Sequence, residues 1–324
     1  MTELKTPWVT LADGTKMPAV GLGTFGSDKY GPADIAAAVY GAVKAGYRMI
    51  DCAEVYGNER EIGESVARLL SEGVVERGDL FIVSKVWNDH HETVREACEN
   101  SLDALGLDYL DAYYIHWPFP NYHAPGCDGD SRNPDSKPFS ADEFLSTYRQ
   151  CEALFREGKI RAIGVSNMTV KKLEAVWDAL SVKPLLIEME LHPAFQQKEL
   201  RSWCAAHGMQ PVGFCPLGSP SRPERDKTSE DVAAMDMPVI REIAARHGVH
   251  PAAVCLKWSR QAGAVPIPFS VKEPQYRANL EAVTTDPLTD CEMSAIDAAD
   301  ANCRLIKGQV FLWEGATDWR ALWD

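Results

Sequence analysis

The chain has 324 residues, of which 45% are hydrophobic and 25% are charged, and its formal net charge is −14. This composition is typical of a globular protein with a sizeable core, and the negative field opposes non-specific binding to nucleic acid or to an anionic membrane. No apolar stretch approaches the roughly 20 residues of a membrane span, and the first five residues lack the apolar core of a signal peptide.

The nine cysteines are scattered along the chain, without a CxxC pair or a Cys/His cluster at zinc spacing. This pattern predicts reduced thiols in a cytoplasmic protein and no metal site. We expect a monomer or a weak homo-oligomer whose partners are small molecules.

The first predicted element is a β-hairpin over residues 9–17, in which Asp13 and Gly14 form the turn. Short apolar runs and longer amphipathic segments then alternate from residue 17 to residue 282. The predicted strands cover residues 19–23, 47–51, 80–86, 109–116, 160–166, 184–190, 210–215 and 264–267. The predicted helices between them cover residues 33–45, 59–70, 91–105, 141–157, 170–180 and 198–207.

Eight strands that alternate with helices predict a parallel (β/α)8 TIM barrel, with residues 1–324 forming a single domain and the hairpin closing its N-terminal end. Two connections, at residues 118–140 and 218–236, are long enough to be active-site loops. The tail at residues 302–324 carries too many aromatic residues for a disordered end. We expect part of this tail to fold over the open mouth of the barrel.

A Rossmann domain is the competing fold, because Gly21-Leu22-Gly23-Thr24-Phe25-Gly26 matches the dinucleotide-binding pattern G-x-G-x-x-G. In a Rossmann domain, a helix begins inside this motif so that its N-terminus faces the pyrophosphate. Here the predicted helix begins only near Ala33. The eight repeats therefore favour the barrel.

Four polar residues of complementary type each stand where a predicted strand meets a loop: Asp51, Tyr56, Lys85 and His116. Functional groups of a TIM barrel lie at this end of its strands. An ammonium favours the phenolate and so lowers the pKa of a nearby tyrosine, and Asp51 would hold Lys85 charged and in place. His116 would orient a substrate carbonyl. The set predicts a proton-delivery site, and therefore an oxidoreductase.

Each of these residues also has a purely structural interpretation. An aspartate at a strand end is commonly a turn or cap residue, a strand lysine often pairs at the surface, and a buried histidine often satisfies a carbonyl. The functional interpretation rests on the four occurring together within ordered local motifs.

Those motifs resemble the aldo-keto reductase superfamily over almost the whole chain, and the general appearance is closest to the aldose and xylose reductase branch. The resemblance implies a single barrel without metal that binds an extended nicotinamide dinucleotide, NAD(P)H, without a Rossmann fold. The motifs are Gly21-Leu22-Gly23-Thr24, Ile50-Asp51-Cys52-Ala53-Glu54-Val55-Tyr56-Gly57-Asn58-Glu59, Ile115-His116-Trp117-Pro118, Gly164-Val165-Ser166-Asn167, Glu190-Leu191-His192-Pro193, Pro216-Leu217-Gly218-Ser219 and Ile267-Pro268-Phe269-Ser270.

By this resemblance, Ser166, Asn167 and Glu188 contact the nicotinamide carboxamide, and Phe214 stacks on the ring. The family commonly has Gln in place of Glu188 and Tyr in place of Phe214. A carboxylate accepts a hydrogen bond from the amide NH₂ but cannot donate one to the amide oxygen, so we expect an altered contact at Glu188. The other implied cofactor contacts are Thr24, Asp51, Leu217, Ser219, Ser270 and Asn279.

The residues after the last strand depart from the pattern of relatives that prefer NADPH. Phe269 stands where those relatives have the lysine that binds the 2′-phosphate, and Gln275 stands where they have an arginine. Lys272 and Arg277 are close enough in sequence to compensate. Losing charge-assisted contacts to a dianion predicts a weakened NADP(H) preference and possible use of NAD(H).

Phe25, Trp87 and Trp117 adjoin the polar set in sequence, and with His116 they are the predicted substrate contacts. Aromatic clusters are more often simple packing, but their position here favours a substrate wall. Such a wall suits sugars as well as alkyl or aryl carbonyl compounds. We expect reversible, NAD(P)-dependent reduction of aldehydes, ketones or sugars to alcohols with Tyr56 as general acid; the alternative is a binding or structural protein that kept the barrel.

Overall fold

The computed structural model describes residues 5–26, 29–123, 127, 131–220, 222, 224 and 227–324. Residues 1–4, where a signal peptide would begin, and parts of the predicted loops at 118–140 and 218–236 lie outside the described residues. Among the helices that are described, none combines the length and the apolar character needed to cross a membrane.

Eight parallel strands form one sheet in which each strand pairs with its neighbours in sequence. The edges of this sheet meet through two backbone hydrogen bonds, from Gly21 N to Pro266 O at 3.0 Å and from Gly23 N to Pro268 O at 3.1 Å. The predicted TIM barrel is therefore confirmed. Its strands are β3 (Leu22–Gly23), β4 (Met49–Asp51), β5 (Phe81–Val86), β6 (Ala112–Ile115), β7 (Ile163–Ser166), β8 (Leu186–Glu190), β9 (Gln210–Phe214) and β10 (Val265–Pro266).

The closing contact explains the glycines that imitate a dinucleotide-binding motif. A Cβ atom on Gly21 would lie 2.8 Å from Cγ2 of Ile267, and one on Gly23 would lie 3.0 Å from the Ile267 carbonyl oxygen. Only glycine lets the first strand approach the last one so closely. The Rossmann alternative is wrong, since these glycines close a barrel and the next helix begins at Pro32.

All six predicted helices are present, with α3 beginning three residues later than expected because Asn88–His90 forms a 3-10 turn. Four further helices, α7 to α10, were not predicted, although proline in the first turn marks the start of α7, α8 and α9. The helices are α1 (Pro32–Ala45), α2 (Glu59–Ser71), α3 (Val94–Leu105), α4 (Ala141–Arg156), α5 (Val170–Val176), α6 (Lys198–Ala206), α7 (Pro238–His247), α8 (Pro251–Gln261), α9 (Glu273–Thr284) and α10 (Asp290–Ala298).

The barrel interior is apolar at the end where the strands begin. The predicted hairpin is present as β1 (Trp8–Thr10) and β2 (Lys16–Pro18), and Gly14 takes the left-handed φ of 92° that its turn requires. Leu11 and Met17 of this hairpin pack in one buried cluster with the strand starts Met49 and Phe81. Because this end is filled, the opposite end is left for a site.

Candidate active site

The C-terminal ends of the strands open into a cleft of about 1500 Å³. Every site residue predicted from the sequence lines this cleft except Lys85, which is fully buried. The lining residues among the predicted set are Thr24, Phe25, Asp51, Tyr56, Trp87, His116, Trp117, Ser166, Asn167, Glu188, Phe214, Leu217, Ser219, Ser270 and Asn279.

Three ionisable side chains, from the neighbouring strands β4 and β5 and from the more distant β8, meet beside the cleft. Lys85 Nζ on β5 donates a hydrogen bond to Asp51 Oδ1 on β4 at 2.6 Å and to the Cys52 carbonyl at 3.0 Å, and it lies 3.5 Å from Glu188 Oε2 on β8. Burial lowers the pKa of Lys85, but the charges of Asp51 and Glu188 raise it by more, so the net pKa lies well above its usual value. The lysine is therefore a fixed cation.

Glu188 belongs to this cluster, which the sequence did not indicate. Burial, followed by the charge of Asp51, raises the pKa of Glu188 to about 8 against the opposing effect of Lys85. At neutral pH the group is mostly a carboxylic acid, and it therefore has one donor. The altered contact that the sequence predicts at Glu188 would then include a donor as well as an acceptor.

Tyr56 ends a 3-10 turn, Glu54–Tyr56, that follows β4, and the chain then reverses at Gly57 with a φ of 63°. Its ring centroid is 5.2 Å from Lys85 Nζ. Burial raises the pKa of Tyr56 above its usual value, and the charge of Lys85 lowers it only in part. The predicted attraction is present, but the net shift is upward, so Tyr56 is a phenol with a proton to donate.

His116 follows β6 and is held among aromatic rings. Its ring centroid lies 5.8 Å from that of Tyr56 and 5.0 Å from that of Trp87, both in edge-on geometry. Burial, and then the charge of Lys85, lowers the pKa of His116 well below its usual value. Its Nδ1 atom makes no hydrogen bond with the described chain. A neutral imidazole in this place can hydrogen bond to a polar group without carrying charge.

The polar wall next to His116 fits a carboxamide. Asn167, at a left-handed φ of 56°, donates from Nδ2 to the His116 carbonyl at 2.9 Å and to Ser166 Oγ at 3.2 Å. Asn167 Oδ1 and Glu188 Oε2 are buried and make no hydrogen bond with the described residues. Two such acceptors beside the cleft suit the NH₂ group of nicotinamide. Among the described residues, no three His, Cys, Asp or Glu side chains gather so as to hold a metal ion.

Near the last strand, uncharged side chains line the cleft at the positions where the family resemblance led us to look for cations, while Lys257 and Arg222 line it elsewhere. Ser270 Oγ donates to Gln275 Oε1 at 2.7 Å, and Phe269 packs against Tyr30 with ring centroids 5.8 Å apart. Arg277, one of the two cations that the sequence offered as compensation, is paired with Glu273 at 2.9 Å. Gln275 and Phe269 line the cleft, whereas Lys272 and Arg277 are not among its lining residues.

The other wall of the cleft is aromatic and includes the C-terminal tail. The Phe311 ring centroid lies 4.7 Å from that of Trp117 and 5.9 Å from that of Trp87, and Phe25 is 45% exposed at the rim. Val310 and Phe311 line the cleft. Phe311 is a site residue that sequence reasoning did not single out, although the aromatic content of the tail was the signal.

Glu190 holds this tail in place. Its carboxylate accepts hydrogen bonds from the backbone N–H groups of Leu305 at 2.7 Å and Ile306 at 2.9 Å, and it lies 2.9 Å from His192 Nε2. The guanidinium of Arg304 stacks on Trp323, 3.3 Å from the ring centroid. The Glu-x-His-Pro motif was visible in the sequence, but its partner lies more than a hundred residues later.

Glu54 plays a comparable part near Tyr56. Its carboxylate accepts a hydrogen bond from the backbone N–H of Trp87 and contacts His90 Nδ1 at 3.0 Å. The turn that carries Tyr56 is thereby joined to the segment that carries Trp87. The sequence showed Glu54 only as part of a motif.

Comparisons with known proteins agree with this geometry. Residues 19–301 match the Aldo/keto reductase family. An aldo/keto reductase of Synechocystis is 38% identical over 320 residues, covering 97% of this chain and 95% of the relative. The NADPH-dependent aldose reductase of Saccharomyces cerevisiae is 36% identical, covering 91% and 94%. A Bombyx mori aldo-keto reductase crystallised with NADP is 29% identical, with a TM-score of 0.81 over 93% of this chain and 95% of that chain.

Proposed function

This chain belongs to the aldo/keto reductase family and is an NAD(P)-dependent oxidoreductase, and we propose that it interconverts aldehydes, ketones or sugars with their alcohols by using Tyr56 as the proton donor. The observation that carries this proposal is the buried pair of Lys85 and Asp51, 2.6 Å apart, beside the Tyr56 ring. When bound, the nicotinamide dinucleotide supplies the hydride.

The side chains of this site deliver the proton. As negative charge develops on the carbonyl oxygen, Tyr56 transfers its phenolic proton to that oxygen, which becomes more basic than a phenolate. The ammonium of Lys85 stabilises the phenolate left behind, and Asp51 fixes the position of that ammonium. Neutral His116 hydrogen bonds to the same carbonyl and orients it. Oxidation of an alcohol runs through the same groups in reverse.

Residues of the same cleft would hold the cofactor. We assign the carboxamide to Ser166, Asn167 and Glu188 and the face of the ring to Phe214. The atoms Asn167 Oδ1 and Glu188 Oε2, which make no hydrogen bond with the described residues, support this assignment. The remaining dinucleotide contacts are assigned to Thr24, Leu217, Ser219, Ser270 and Asn279, which line the same cleft.

A hydride-transfer assay tests the function. Aldehydes, ketones and sugars are offered with NADH and NADPH, and the corresponding alcohols with NAD⁺ and NADP⁺, while absorbance of the reduced nicotinamide is followed. We expect turnover of neutral apolar or sugar carbonyl compounds, since Phe25, Trp87, Trp117 and Phe311 supply an aromatic surface. Dinucleotide binding without turnover of any compound would instead favour a barrel that serves only for binding.

We further propose that preference for NADP(H) is weakened in this chain and that NAD(H) is used. Phe269 and Gln275 line the cleft and, by the family resemblance, stand where relatives that prefer NADPH have cations, and Arg277 is engaged by Glu273. Phe269→Lys should raise the NADPH to NADH ratio of kcat/KM by about tenfold or more, the effect of one charge-assisted hydrogen bond, whereas Phe269→Leu should not. A wild-type ratio strongly in favour of NADPH would overturn this assignment.

No disulfide bond joins any two of the nine cysteines, all of which the structure describes; eight of them are buried or half-buried, and Cys291 is exposed. This supports a reducing compartment, and we place the protein in the cytoplasm. We expect a monomer or a weak homo-oligomer, which sedimentation of the purified chain would test.

A further inference from the structure

The cluster beneath the cofactor site contains one more carboxyl group than is needed to neutralise its cation. Lys85 carries one positive charge and Asp51, at 2.6 Å, balances it. Glu188, at 3.5 Å from the same ammonium, is a second carboxyl group. When Glu188 holds a proton the cluster is neutral, and when it is ionised the cluster carries a net negative charge.

Glu188 is one of the two members of the cluster that line the cleft, the other being Asp51, which already balances Lys85. Its side chain lines the cleft and is 3% exposed, and its buried Oε2 atom makes no hydrogen bond with the described chain. Lys85, by contrast, is fully buried and not part of the cleft lining. A charge on Glu188 therefore acts directly on a group bound beside Ser166, Asn167 and Glu188.

The groups that face Glu188 allow its proton to be gained and lost near neutral pH. Burial raises the pKa of Glu188 to about 8, with Asp51 on β4 acting in the same direction and Lys85 on β5 acting against it. Two tyrosines also interact with Glu188: Tyr56, in the turn after β4, and Tyr114, on β6. Each keeps its proton because burial raises the pKa of both phenols.

The two strands adjacent to β8 add no charge. Glu188 pairs in register with Ser166 of β7 and with Val212 of β9, and neither side chain ionises. We therefore expect the charge of Glu188 to change within the pH range in which enzymes commonly work.

The two forms of a nicotinamide differ by one positive charge on the ring, since the oxidised ring is a cation and the reduced ring is neutral. Resting on the proposed function, we propose that Glu188 links proton occupancy to the oxidation state of the bound dinucleotide: protonated Glu188 suits the reduced ring, and ionised Glu188 stabilises the oxidised ring. Because Glu188 is buried, such a charge pair is screened weakly. By linkage, binding of the oxidised form also favours loss of the Glu188 proton.

The test measures binding rather than turnover. Dissociation constants of NADH and NAD⁺, and of NADPH and NADP⁺, are measured by isothermal titration calorimetry from about pH 7 to about pH 9.5, a range that brackets the titration of Glu188. For wild-type protein we expect the affinity for the oxidised form, divided by that for the reduced form, to rise about tenfold over this pH range. This is the effect of a difference of about one unit between the pKa values of Glu188 in the two complexes.

Two variants separate Glu188 from other causes of pH dependence. Glu188→Gln is isosteric and cannot ionise, so its affinity ratio should stay flat. Glu59→Gln removes another buried carboxyl group, which is bound to Ser84 and Ser101 and is not part of the cleft lining, so this variant should keep the wild-type slope. A flat wild-type ratio, or an equal slope in Glu188→Gln, would overturn the inference while leaving the proposed function standing.

A spectroscopic measurement on the protein without cofactor tests the proton itself. Infrared difference spectra between wild type and Glu188→Gln should contain a protonated carboxyl band at neutral pH that disappears with a midpoint near 8. Absence of that band at neutral pH would contradict the inference. Failure of every dinucleotide to bind would overturn the proposed function, and this inference with it.

Discussion

At the scale of single residues, the site is governed by competition between burial and charge. Lys85 and Asp51 could be paired from the sequence because their positions at strand ends place them on one rim. The protonation states of the site residues could not be predicted from the sequence, because they depend on how deeply each side chain is buried. Burial outweighs Lys85 at Tyr56 and raises the pKa of Glu188 to about 8, and neither depth is encoded in a local motif.

The buried acid makes stability depend on pH. The pKa of Glu188 is raised from 4.5 to about 8 in the folded chain, so between these values the folded state keeps a proton that the unfolded state releases. The free energy of unfolding of wild type, compared with that of Glu188→Gln, should therefore fall as pH rises through this window, by about 2–5 kcal/mol in total. Above the window it should stay constant.

Urea unfolding of both proteins at several pH values measures this difference. Glu59→Gln serves as the comparison for loss of a buried carboxyl group outside the cluster. Parallel pH profiles for wild type and Glu188→Gln would show that Glu188 is ionised in the folded state.

At the scale of elements, alternation and punctuation in the sequence predicted the strands and the first six helices well. The later helices were missed although prolines mark the starts of α7, α8 and α9. Contacts between distant elements were the least predictable. The hydrogen bonds from Leu305 and Ile306 to Glu190 join β8 to the tail across more than a hundred residues, and no spacing rule reaches that far.

Glu190→Gln should loosen the tail. The substitution keeps the shape of the side chain but weakens two charge-assisted hydrogen bonds, each worth about 1.5–3 kcal/mol. We expect amide hydrogen exchange at Leu305 and Ile306 to accelerate by about tenfold or more. The KM for carbonyl substrates should rise because Phe311 becomes less well positioned.

The matched control is Glu314→Gln, which changes an exposed carboxylate in the same tail and should alter neither quantity. Unchanged exchange at Leu305 in Glu190→Gln would mean that packing of the aromatic cluster alone holds the tail.

At the scale of the whole molecule, a barrel filled at one end and open at the other concentrates all predicted site residues in one cleft, except the fully buried Lys85 beside it. Eight strand-like runs were enough to predict this architecture. The G-x-G-x-x-G match shows the limit of a short motif, since Gly21 and Gly23 serve barrel closure. Residue type alone does not distinguish close packing of strands from close approach of a phosphate.

Dinucleotide binding should stabilise the entire barrel, because the cleft is built from most of its strands. A ligand at about a hundred times its Kd adds about 2.7 kcal/mol, which corresponds to a rise in Tm of several degrees, about 3–8 °C. We expect NADH to raise Tm at least as much as NADPH at equal concentration, with the order reversed in Phe269→Lys. A larger shift with NADPH in wild type would contradict the assignment of Phe269.

The central claim is that Tyr56, steadied by Lys85 and Asp51, delivers the proton, and Tyr56→Phe tests it most directly because only one hydroxyl is removed. The variant should bind dinucleotide within about threefold of wild type, while the rate of hydride transfer in a single turnover falls by about 10²–10⁴-fold, the usual contribution of a positioned acid. Hydride transfer at the wild-type rate in Tyr56→Phe, with binding intact, would contradict the account.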